Sequence, residues 1–364
     1  MLPRVLHITG RSDHGGGPEH ILQVLRSSDA ASHALVACPR QGVYWSRFAA
    51  VIGEARLVPI PHRALSVRAL AELILAVRRH RVQVIHSHGM SAGVYGRVLA
   101  RLTGLPCVHS FHGLPTSPTF KHRVYDLAEG LLSRWTTCAI AVSASEAALA
   151  AERFPQLQGR LRVVPNGIEL ADPPPPAAGP ERRVVSFTRL NRQKNPHLVL
   201  DIAEDLRRRG VLGAVRFHLY GEGVAGTRFR RAVAERGLSA RVRCHAPTDD
   251  PRAVLAGAWC YLSTSRWEGM PLSLIEAARD GVPIVASAVV GNADLIEHGG
   301  DGLLFAQDDA PAAAAALHGL LADPQLGLRL AAAARQRFLA DNTAATMTRH
   351  LTGVYRRQAA ALAG

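Results

Sequence analysis

The sequence predicts an α/β protein with two doubly wound, Rossmann-like domains that face each other. The chain has 364 residues, which is more than one core of ordinary size accommodates. Short aliphatic and β-branched runs alternate with amphipathic helical periods, and this alternation is typical of parallel sheets covered by helices on both faces. A proline-rich stretch, Ala171 to Pro180, interrupts the alternation and predicts a linker over residues 172–180.

The first domain is predicted over residues 1–171, on the acceptor side. Its amphipathic stretches include Ser66–Arg79 and Ser91–Leu102. Its predicted strands are Arg4–Thr9, His33–Ala37, Arg56–Ile60, Val82–His86, Cys107–Phe111, Cys138–Val142 and Arg162–Val164.

The second domain is predicted over residues 181–341, on the donor side, and a last helix over residues 342–364 follows it. Its predicted strands are Val184–Thr188, Val215–Tyr220, Val242–Cys244, Cys260–Ser263, Pro283–Ser287 and Leu303–Phe305. Because ligands of such sheets bind outside the carboxyl ends of the strands, two facing domains are expected to enclose a cleft.

The charge of the chain indicates an acidic partner. The formal net charge is +14, which suits nucleic acid, an anionic membrane surface or a phosphorylated small molecule. Aromatic residues make up 5% and do not interleave with the arginine runs, so nucleic acid is not expected. Exposed arginines such as Arg78, Arg79 and Arg81 leave peripheral binding to an anionic membrane open.

The cysteines and the amino terminus predict a cytoplasmic protein. The five cysteines are dispersed and form no C-x-x-C pair, which indicates reduced thiols and neither a disulfide framework nor a zinc site. The first residues resemble a strand and carry no signal-peptide core, and no apolar run approaches the ~20 residues of a membrane span.

Two basic residues follow the first strand of the second domain. Arg189 and Lys194 stand five positions apart just before a helix, an arrangement that can clamp a diphosphate. Lys194 is one of only two lysines in the chain, which favours a functional role over a surface position.

Glycine-rich loops occur in both halves. Gly15, Gly16 and Gly17 precede a helix whose free N–H groups can bind an anion. The run Gly221 to Gly226 fits the dinucleotide pattern G-x-G-x-x-G, yet no acidic residue ends the next strand. We therefore expect these last glycines to line a cleft or make a turn and not to bind NAD.

The segment Ser263 to Glu276 carries two carboxylates. Glu268 precedes a helix that is predicted to begin near Pro271, and Glu276 lies about one and a half turns into it. Carboxylates accept paired hydrogen bonds from vicinal hydroxyl groups, and the loop amides can bind hydroxyls or phosphate. Two glutamates eight residues apart are weak evidence by themselves. The prediction of a polyhydroxylated ligand therefore rests on the whole segment from Ser263 to Glu276.

Several motifs together resemble the retaining nucleotide-sugar glycosyltransferases of family 4, which have the GT-B fold. Two departures are Thr188, where many members have glycine, and Asp294, where many have glutamate. The matching pieces are Gly15-Gly16-Gly17, Ser110-Phe111-His112-Gly113, Pro165-Asn166-Gly167-Ile168, Arg189, Lys194, Glu268-Gly269-Met270-Pro271, Glu276 and Gly302-Leu303-Leu304.

The resemblance implies a role for each matched residue. Glu276 would hold the ribose, Glu268 the donor sugar, Arg189 and Lys194 the leaving diphosphate, and His112 the sugar from the opposite domain. The remaining donor-binding positions would be Gly16, Gly17, Asn166, Gly269, Met270, Pro271 and Leu272. The family needs no metal or other cofactor, and its last helix crosses back to the first domain.

The predicted function is transfer of a sugar, with retention, from a UDP- or GDP-sugar to a cell-envelope, exopolysaccharide or lipid-linked acceptor. The alternatives are a nucleotide-sugar epimerase or isomerase of the same fold, and a basic nucleic-acid- or membrane-binding protein without catalysis. The base is expected near residues 244–250. His86 and His88 are expected to cap backbone groups, with acceptor contact as the alternative.

Overall fold

The computed structural model describes residues 2–27, 30–116, 120–174 and 181–363. The chain divides into two compact units, the first comprising Met1–Glu169 with Asn342–Gly364 and the second Leu170–Asp341. Most of the predicted linker, residues 175–180, lies outside the described residues. Each unit is an α/β layer with its own parallel sheet.

The sheet of the first unit, within the described residues, has seven parallel strands in the order β3-β2-β1-β4-β5-β6-β7. The sheet reverses its direction of growth at β1, which pairs with both β2 and β4. The strands are β1 (Val5–Thr9), β2 (Ala34–Cys38), β3 (Leu57–Pro59), β4 (Val84–His88), β5 (Cys107–Ser110), β6 (Cys138–Ala141) and β7 (Leu161–Val163).

Helices cover both faces of this sheet. Ser66 caps the helix that the sequence predicted from that residue, because its hydroxyl accepts from the N–H of Ala69 at 3.3 Å. The helices are α1 (Gly16–Arg26), α2 (Ala30–His33), α3 (Val43–Ile52), α4 (Val67–Arg79), α5 (Met90–Thr103), α6 (Phe120–Leu132) and α7 (Ala144–Arg153). Short 3₁₀ turns are Glu54–Arg56, Ser133–Trp135 and Pro155–Leu157.

The last helix, α15 (Ala344–Ala363), belongs to the first unit. Its apolar face, including Met347, Leu351 and Tyr355, is buried against strand residues such as Val5 and Val108. Ile168 and Thr343 form an isolated bridge just ahead of the helix. A side chain at Gly167 would place its Cβ 2.2 Å from the carbonyl oxygen of Thr343, so this approach requires glycine.

The second unit repeats the plan with six parallel strands, within its described residues, in the order β10-β9-β8-β11-β12-β13. The reversal point is β8, between β9 and β11. The strands are β8 (Arg182–Phe187), β9 (Val215–Tyr220), β10 (Val242–His245), β11 (Cys260–Ser263), β12 (Ile284–Ser287) and β13 (Leu303–Phe305).

The helices of the second unit bury an aliphatic core that includes Leu200, Leu206, Phe217, Phe229 and Leu317. They are α8 (His197–Arg208), α9 (Gly226–Glu235), α10 (Pro251–Ala256), α11 (Leu272–Arg279), α12 (Asn292–Leu295), α13 (Ala310–Ala322) and α14 (Pro324–Asp341), with a 3₁₀ turn at Leu212–Ala214. Among the described helices, none has the length and apolarity to cross a membrane.

Candidate functional site

The loops after β8, β11 and β12 meet at the carboxyl edge of the second sheet. The loop after β11 runs from Thr264 to Pro271, which is the N-cap residue of α11. The first N–H groups of α11 have no partner within the helix, so this end is suited to an anion. Gly281, with φ of +66°, follows the helix and reverses the chain.

Lys194 and Glu268 form a largely buried ion pair at this edge. The Lys194 Nζ lies 2.6 Å from the Glu268 Oε1, and the two side chains are 16% and 8% exposed. The Ser265 hydroxyl donates to the same Oε1 at 2.6 Å. The structure thus brings together the residues that the sequence assigned separately to the diphosphate and to the sugar.

Arg189 lies in the loop after β8, the loop that also carries Lys194. Its Nη2 is 3.4 Å from the Gln193 Oε1, and the Gln193 Nε2 donates to the Trp267 carbonyl at 3.1 Å. The Arg266 N–H donates to the Gln193 carbonyl at 2.8 Å. Gln193 therefore joins the loop that carries both cations to the loop that carries Glu268.

The glycines of the G-x-G-x-x-G pattern make a turn against the Arg189 loop. A Cβ at Gly221, where φ is +148°, would lie 1.9 Å from the Thr188 carbonyl oxygen, and one at Gly223 would lie 2.5 Å from that of Leu190. Backbone hydrogen bonds join Leu190 to Glu222 and to Ala225 at 3.0 Å each. These glycines hold the arginine loop in place through backbone packing.

The loop after β12 packs beneath Glu268 and Gly269. Gly291 has φ of +87°, and a Cβ there would lie 2.4 Å from the Gly269 carbonyl oxygen. The buried Asn292 donates to the Ser287 carbonyl at 2.9 Å, while its Oδ1 has no hydrogen-bond partner. This buried oxygen is an acceptor site at the loop that departs from the family pattern.

Glu276 is half-buried on α11, one turn beyond the helix start. Burial raises the pKa of Tyr261, and the carboxylates of Glu276 and Glu268 raise it further. Both carboxylates therefore lie near the same buried phenol of β11. Met270 and Leu272 are buried beside them.

The predicted glycine loop of the first unit precedes α1, which begins at Gly16 after Gly15 as its N-cap. In its first turn, the Glu19 carboxylate accepts from Tyr44 at 2.6 Å and from Gln23 at 2.7 Å. Beside the loop, Arg11 pairs with Asp13 at 2.7 Å. A Cβ at Gly17 would meet no atom within 4 Å, so packing does not require that glycine.

His112 follows β5 with φ of +60° and is half-buried. A buried carboxylate, Glu146, holds its loop by accepting from the N–H groups of Gly113 at 2.5 Å, Leu114 at 3.1 Å and Val142 at 2.8 Å. The sequence reasoning missed Glu146. The spacing of Ser143 and Glu146 at the start of α7 is a capping-box signal that could have identified it.

Asn166 and His86 lie inside the first unit. The Asn166 Oδ1 accepts from the His20 Nδ1 at 2.9 Å, and its carbonyl accepts from Asn342 at 2.8 Å. The His86 ring contacts the Tyr355 hydroxyl at 2.6 Å and the Ser110 hydroxyl at 2.8 Å. The expected capping of backbone groups was therefore wrong for His86, because β4 continues two residues further and buries the ring against side-chain hydroxyls; acceptor contact stays a prediction.

Family models match both halves of the chain. The model "Glycosyltransferase Family 4" matches residues 14–172, and "Glycosyl transferases group 1" matches residues 169–337. A D-inositol 3-phosphate glycosyltransferase of Acidothermus cellulolyticus is 30% identical over 342 residues, covering 82% of this chain and 74% of the relative. The chain belongs to the family 4 glycosyltransferases of the GT-B type.

A second relative of this glycosyltransferase is a UDP-Gal:alpha-D-GlcNAc-diphosphoundecaprenol alpha-1,3-galactosyltransferase of Escherichia coli. It is 26% identical over 277 residues, covering 70% of this chain and 72% of the relative.

In this glycosyltransferase, residues outside the family motifs also contribute contacts at the candidate site. Gln193 gave no sequence signal because its contact with the Trp267 carbonyl joins two different loops, while Ser265 and Asn292 act through contacts with Glu268 and Ser287 that only the folded loops form.

Solved structures share the fold of this glycosyltransferase. The Anabaena protein HepE in complex with UDP and glucose aligns with a TM-score of 0.83 at 19% identity, over 97% of this chain and 99% of that chain. The sucrose-phosphate synthase of Thermosynechococcus elongatus aligns with a TM-score of 0.81 at 21% identity, over 99% and 100%. At these identities the likeness establishes the fold.

Proposed function

We propose that this glycosyltransferase transfers a sugar from a UDP- or GDP-sugar to a glycan or lipid-linked acceptor of the cell envelope or exopolysaccharide type. The observation that supports it best is the Lys194–Glu268 pair at 2.6 Å, which joins the loop that carries Arg189 to the loop before α11. The comparisons support the same assignment, since HepE binds UDP with glucose and the Escherichia coli relative acts on a diphosphoundecaprenol-linked sugar.

The diphosphate of the donor is proposed to bind Arg189 and Lys194. Lys194 is held by Glu268 and Arg189 lies beside Gln193, so the cations are positioned before any donor arrives. Negative charge develops on the leaving diphosphate as the sugar departs, and fixed cations stabilise that charge. The proposed transfer therefore uses these two side chains where other enzymes use a metal ion.

The sugar and the ribose are proposed to bind the two carboxylates. Glu276 accepts hydrogen bonds from the vicinal ribose hydroxyls, while Glu268 and the backbone of Gly269 to Leu272 bind the donor sugar. The placement of Glu268 in the loop before α11 and of Glu276 one turn into that helix supports this division. Contacts of Gly16, Gly17, His112 and Asn166 with the donor stay predictions from the resemblance.

The proposed chemistry retains the configuration of the anomeric carbon. The bond from that carbon to the diphosphate oxygen breaks, and the acceptor hydroxyl oxygen bonds to the same face. The hydroxyl proton passes to the oxygen of the departing diphosphate, so no enzymatic nucleophile is needed.

The exposed arginines Arg78, Arg79 and Arg81 are proposed contacts with anionic lipid near such an acceptor. The relatives described above are transferases and give no support to an epimerase.

The test of the donor site is Glu276→Ala with Glu235→Ala as the matched control. We expect at least tenfold weaker UDP or GDP binding by calorimetry, because a paired acceptor for the ribose is lost. Glu235 is an exposed glutamate of the same unit whose ion pair with Arg231 contributes little, so its loss should leave binding unchanged. Equal nucleotide affinity of Glu276→Ala and wild type would reject the ribose assignment.

A further inference from the structure

Histidine side chains crowd the carboxyl edge of the first sheet. His7 lies on β1, His86 and His88 on β4, His112 after β5 and His20 on α1. Ring centroids lie 5.2 Å apart for His88 and His112, and 4.9 Å apart for His20 and His112. The mechanism proposed for the second unit uses none of these rings except His112.

Three of these histidines bring ring nitrogens together. One nitrogen each from His20, His88 and His112 lies within 4.8 Å of the other two. The His88 Nδ1 and the His112 Nε2 are 3.0 Å apart. Ligand nitrogens around a tetrahedral zinc ion with bonds of about 2.0–2.1 Å lie about 3.3 Å apart, so small ring movements would complete the geometry.

One outer contact of this trio prepares a nitrogen for a ligand, and a second orients a ring. The Asn166 Oδ1 takes the Nδ1 proton of His20 at 2.9 Å, which leaves the Nε2 of His20 with a lone pair. That Nε2 is buried and has no hydrogen-bond partner. The other nitrogen of His88 contacts the His7 Nδ1 at 3.2 Å, a second outer contact that orients the ring.

The neighbouring trio of His7, His86 and His88 is less suited to a metal. Both nitrogens of His86 are already engaged, by the Tyr355 hydroxyl at 2.6 Å and the Ser110 hydroxyl at 2.8 Å. Binding there would break one of these hydrogen bonds as well as the contact between His7 and His88, whereas binding at the first trio would break only the contact between His88 and His112. His7 and His86 are also fully buried, whereas the first trio includes the half-buried His112.

We infer that His20, His88 and His112 form a binding site for a divalent transition-metal ion of the zinc class, with solvent as the fourth ligand. Three imidazoles with one open position suit Zn²⁺ and similar borderline cations.

The consequence of binding is local to the first unit. A metal ion would bind the Nε2 of His112. It would thereby restrain the His112 loop, which Glu146 already holds by accepting hydrogen bonds from its backbone. The prediction that transfer requires no metal concerns the phosphate clamp of the second unit. The inference differs from the sequence analysis, which predicted no metal ligand. The sequence could not indicate this trio, because its three histidines come from separate segments of the chain.

The test is a Zn²⁺ titration of untagged, chelator-stripped protein, followed by calorimetry and by competition with a coloured zinc chelator. We expect one Zn²⁺ per chain, and at least tenfold weaker binding in His20→Ala and in His112→Ala. His350→Ala is the matched control, since it removes an exposed imidazole from the same unit and should bind like wild type.

A second measurement covers the case in which His20→Ala fails to fold. His112 is half-buried, so His112→Ala should keep a wild-type circular dichroism spectrum while losing the Zn²⁺-dependent rise in Tm that wild type shows. Absence of binding to wild type would overturn the inference. So would wild-type affinity in the folded His112→Ala protein, because the metal would then lie at other histidines.

Discussion

Glu268 shows at the scale of one residue how packing changes the meaning of a motif. The sequence placed it beside the donor sugar, and the structure shows its Oε1 accepting from both Lys194 and Ser265 at 2.6 Å. Its side chain is 8% exposed, so the charge depends on these partners. The pair can open when phosphate oxygens offer Lys194 another partner, and this exchange is testable.

Substitution of each partner by glutamine is expected to have different effects. Lys194→Gln should weaken UDP or GDP binding at least tenfold and lower turnover by about 10²–10³-fold, since a cation on the leaving group is lost. Glu268→Gln should leave nucleotide affinity equal or tighter, because Lys194 loses its competing partner, and should lower turnover alone. Calorimetry and nucleoside-diphosphate release measure the two quantities.

The control for this pair is Arg231→Gln, which removes one member of an exposed ion pair in the same unit. It should change neither affinity nor turnover, because exposed pairs contribute ~0–1 kcal/mol. Equal loss of nucleotide affinity in Lys194→Gln and Glu268→Gln would mean that the pair acts only as a structural tie between two loops.

Gly221 shows at the scale of elements how one turn positions a neighbouring loop. The turn after β9 approaches the loop after β8 so closely that Thr188 leaves no space for a side chain at Gly221. The glycine spacing alone suggested a dinucleotide pattern, and the missing acidic residue argued against it. The structure supplies the reason for the glycines, which is backbone packing behind Arg189.

Gly221→Ala is therefore expected to displace the arginine loop. A Cβ at 1.9 Å from the Thr188 carbonyl oxygen, at φ of +148°, should reduce the free energy of unfolding by about 1–3 kcal/mol and weaken nucleotide binding. Gly213 stands just before β9 and a Cβ there meets no atom within 4 Å. Gly213→Ala should change stability by less than about 0.5 kcal/mol.

Urea unfolding and nucleotide titration distinguish the two glycine variants. If Gly221→Ala kept wild-type stability and affinity, the Arg189 loop would have to tolerate the side chain, and the proposed packing role of the glycine would be wrong.

At the scale of the whole molecule, the two units differ in how they hold their histidines. In the described part of the first unit, burial lowers the pKa of His7 to about 3 and of His20 to about 4. Burial also holds the pKa values of His86, His88, His109 and His112 well below 6.5. In the second unit, burial and the neighbouring His245 lower the pKa of His218 to about 4.

Acid is therefore expected to destabilise the first unit before the second. Between pH 6.5 and the lowered folded values, the unfolded chain binds protons that the folded unit does not, so unfolding becomes easier as the pH falls. Each such histidine contributes about 1.4 kcal/mol per pH unit in that window. Hydrogen exchange at pH 7.5 and 5.5, with chelator present, should show loss of protection first in β1, β4 and β5.

The variant His109→Gln tests whether buried histidines cause this pH dependence. His109 is fully buried and contacts the Ser87 hydroxyl at 2.9 Å, a bond that an amide can replace. The variant should flatten the slope of unfolding free energy against pH by about 1.4 kcal/mol per unit. A first unit as resistant to acid as the second would show that the rings become protonated without unfolding.

The strands were predictable because each is a short aliphatic run with its own local signal. Every predicted strand forms, with ends shifted by at most two residues. The largest shift among the first strands is in β4, predicted to end at His86 and ending at His88. Neighbouring strands supply partners for its polar end, with His88 opposite Thr9 and Ser110, and no local pattern could show this.

The sequence by itself determined the fold class and the motifs, since hydrophobic periodicity and glycine or proline positions act over a few residues. It placed Arg189, Lys194, Glu268 and Glu276 at the carboxyl edge of one sheet. Only the tertiary structure decided that Lys194 pairs with Glu268, that Glu146 holds the His112 loop, and which histidines converge. Those contacts join residues far apart in the chain, and their partners are set by packing.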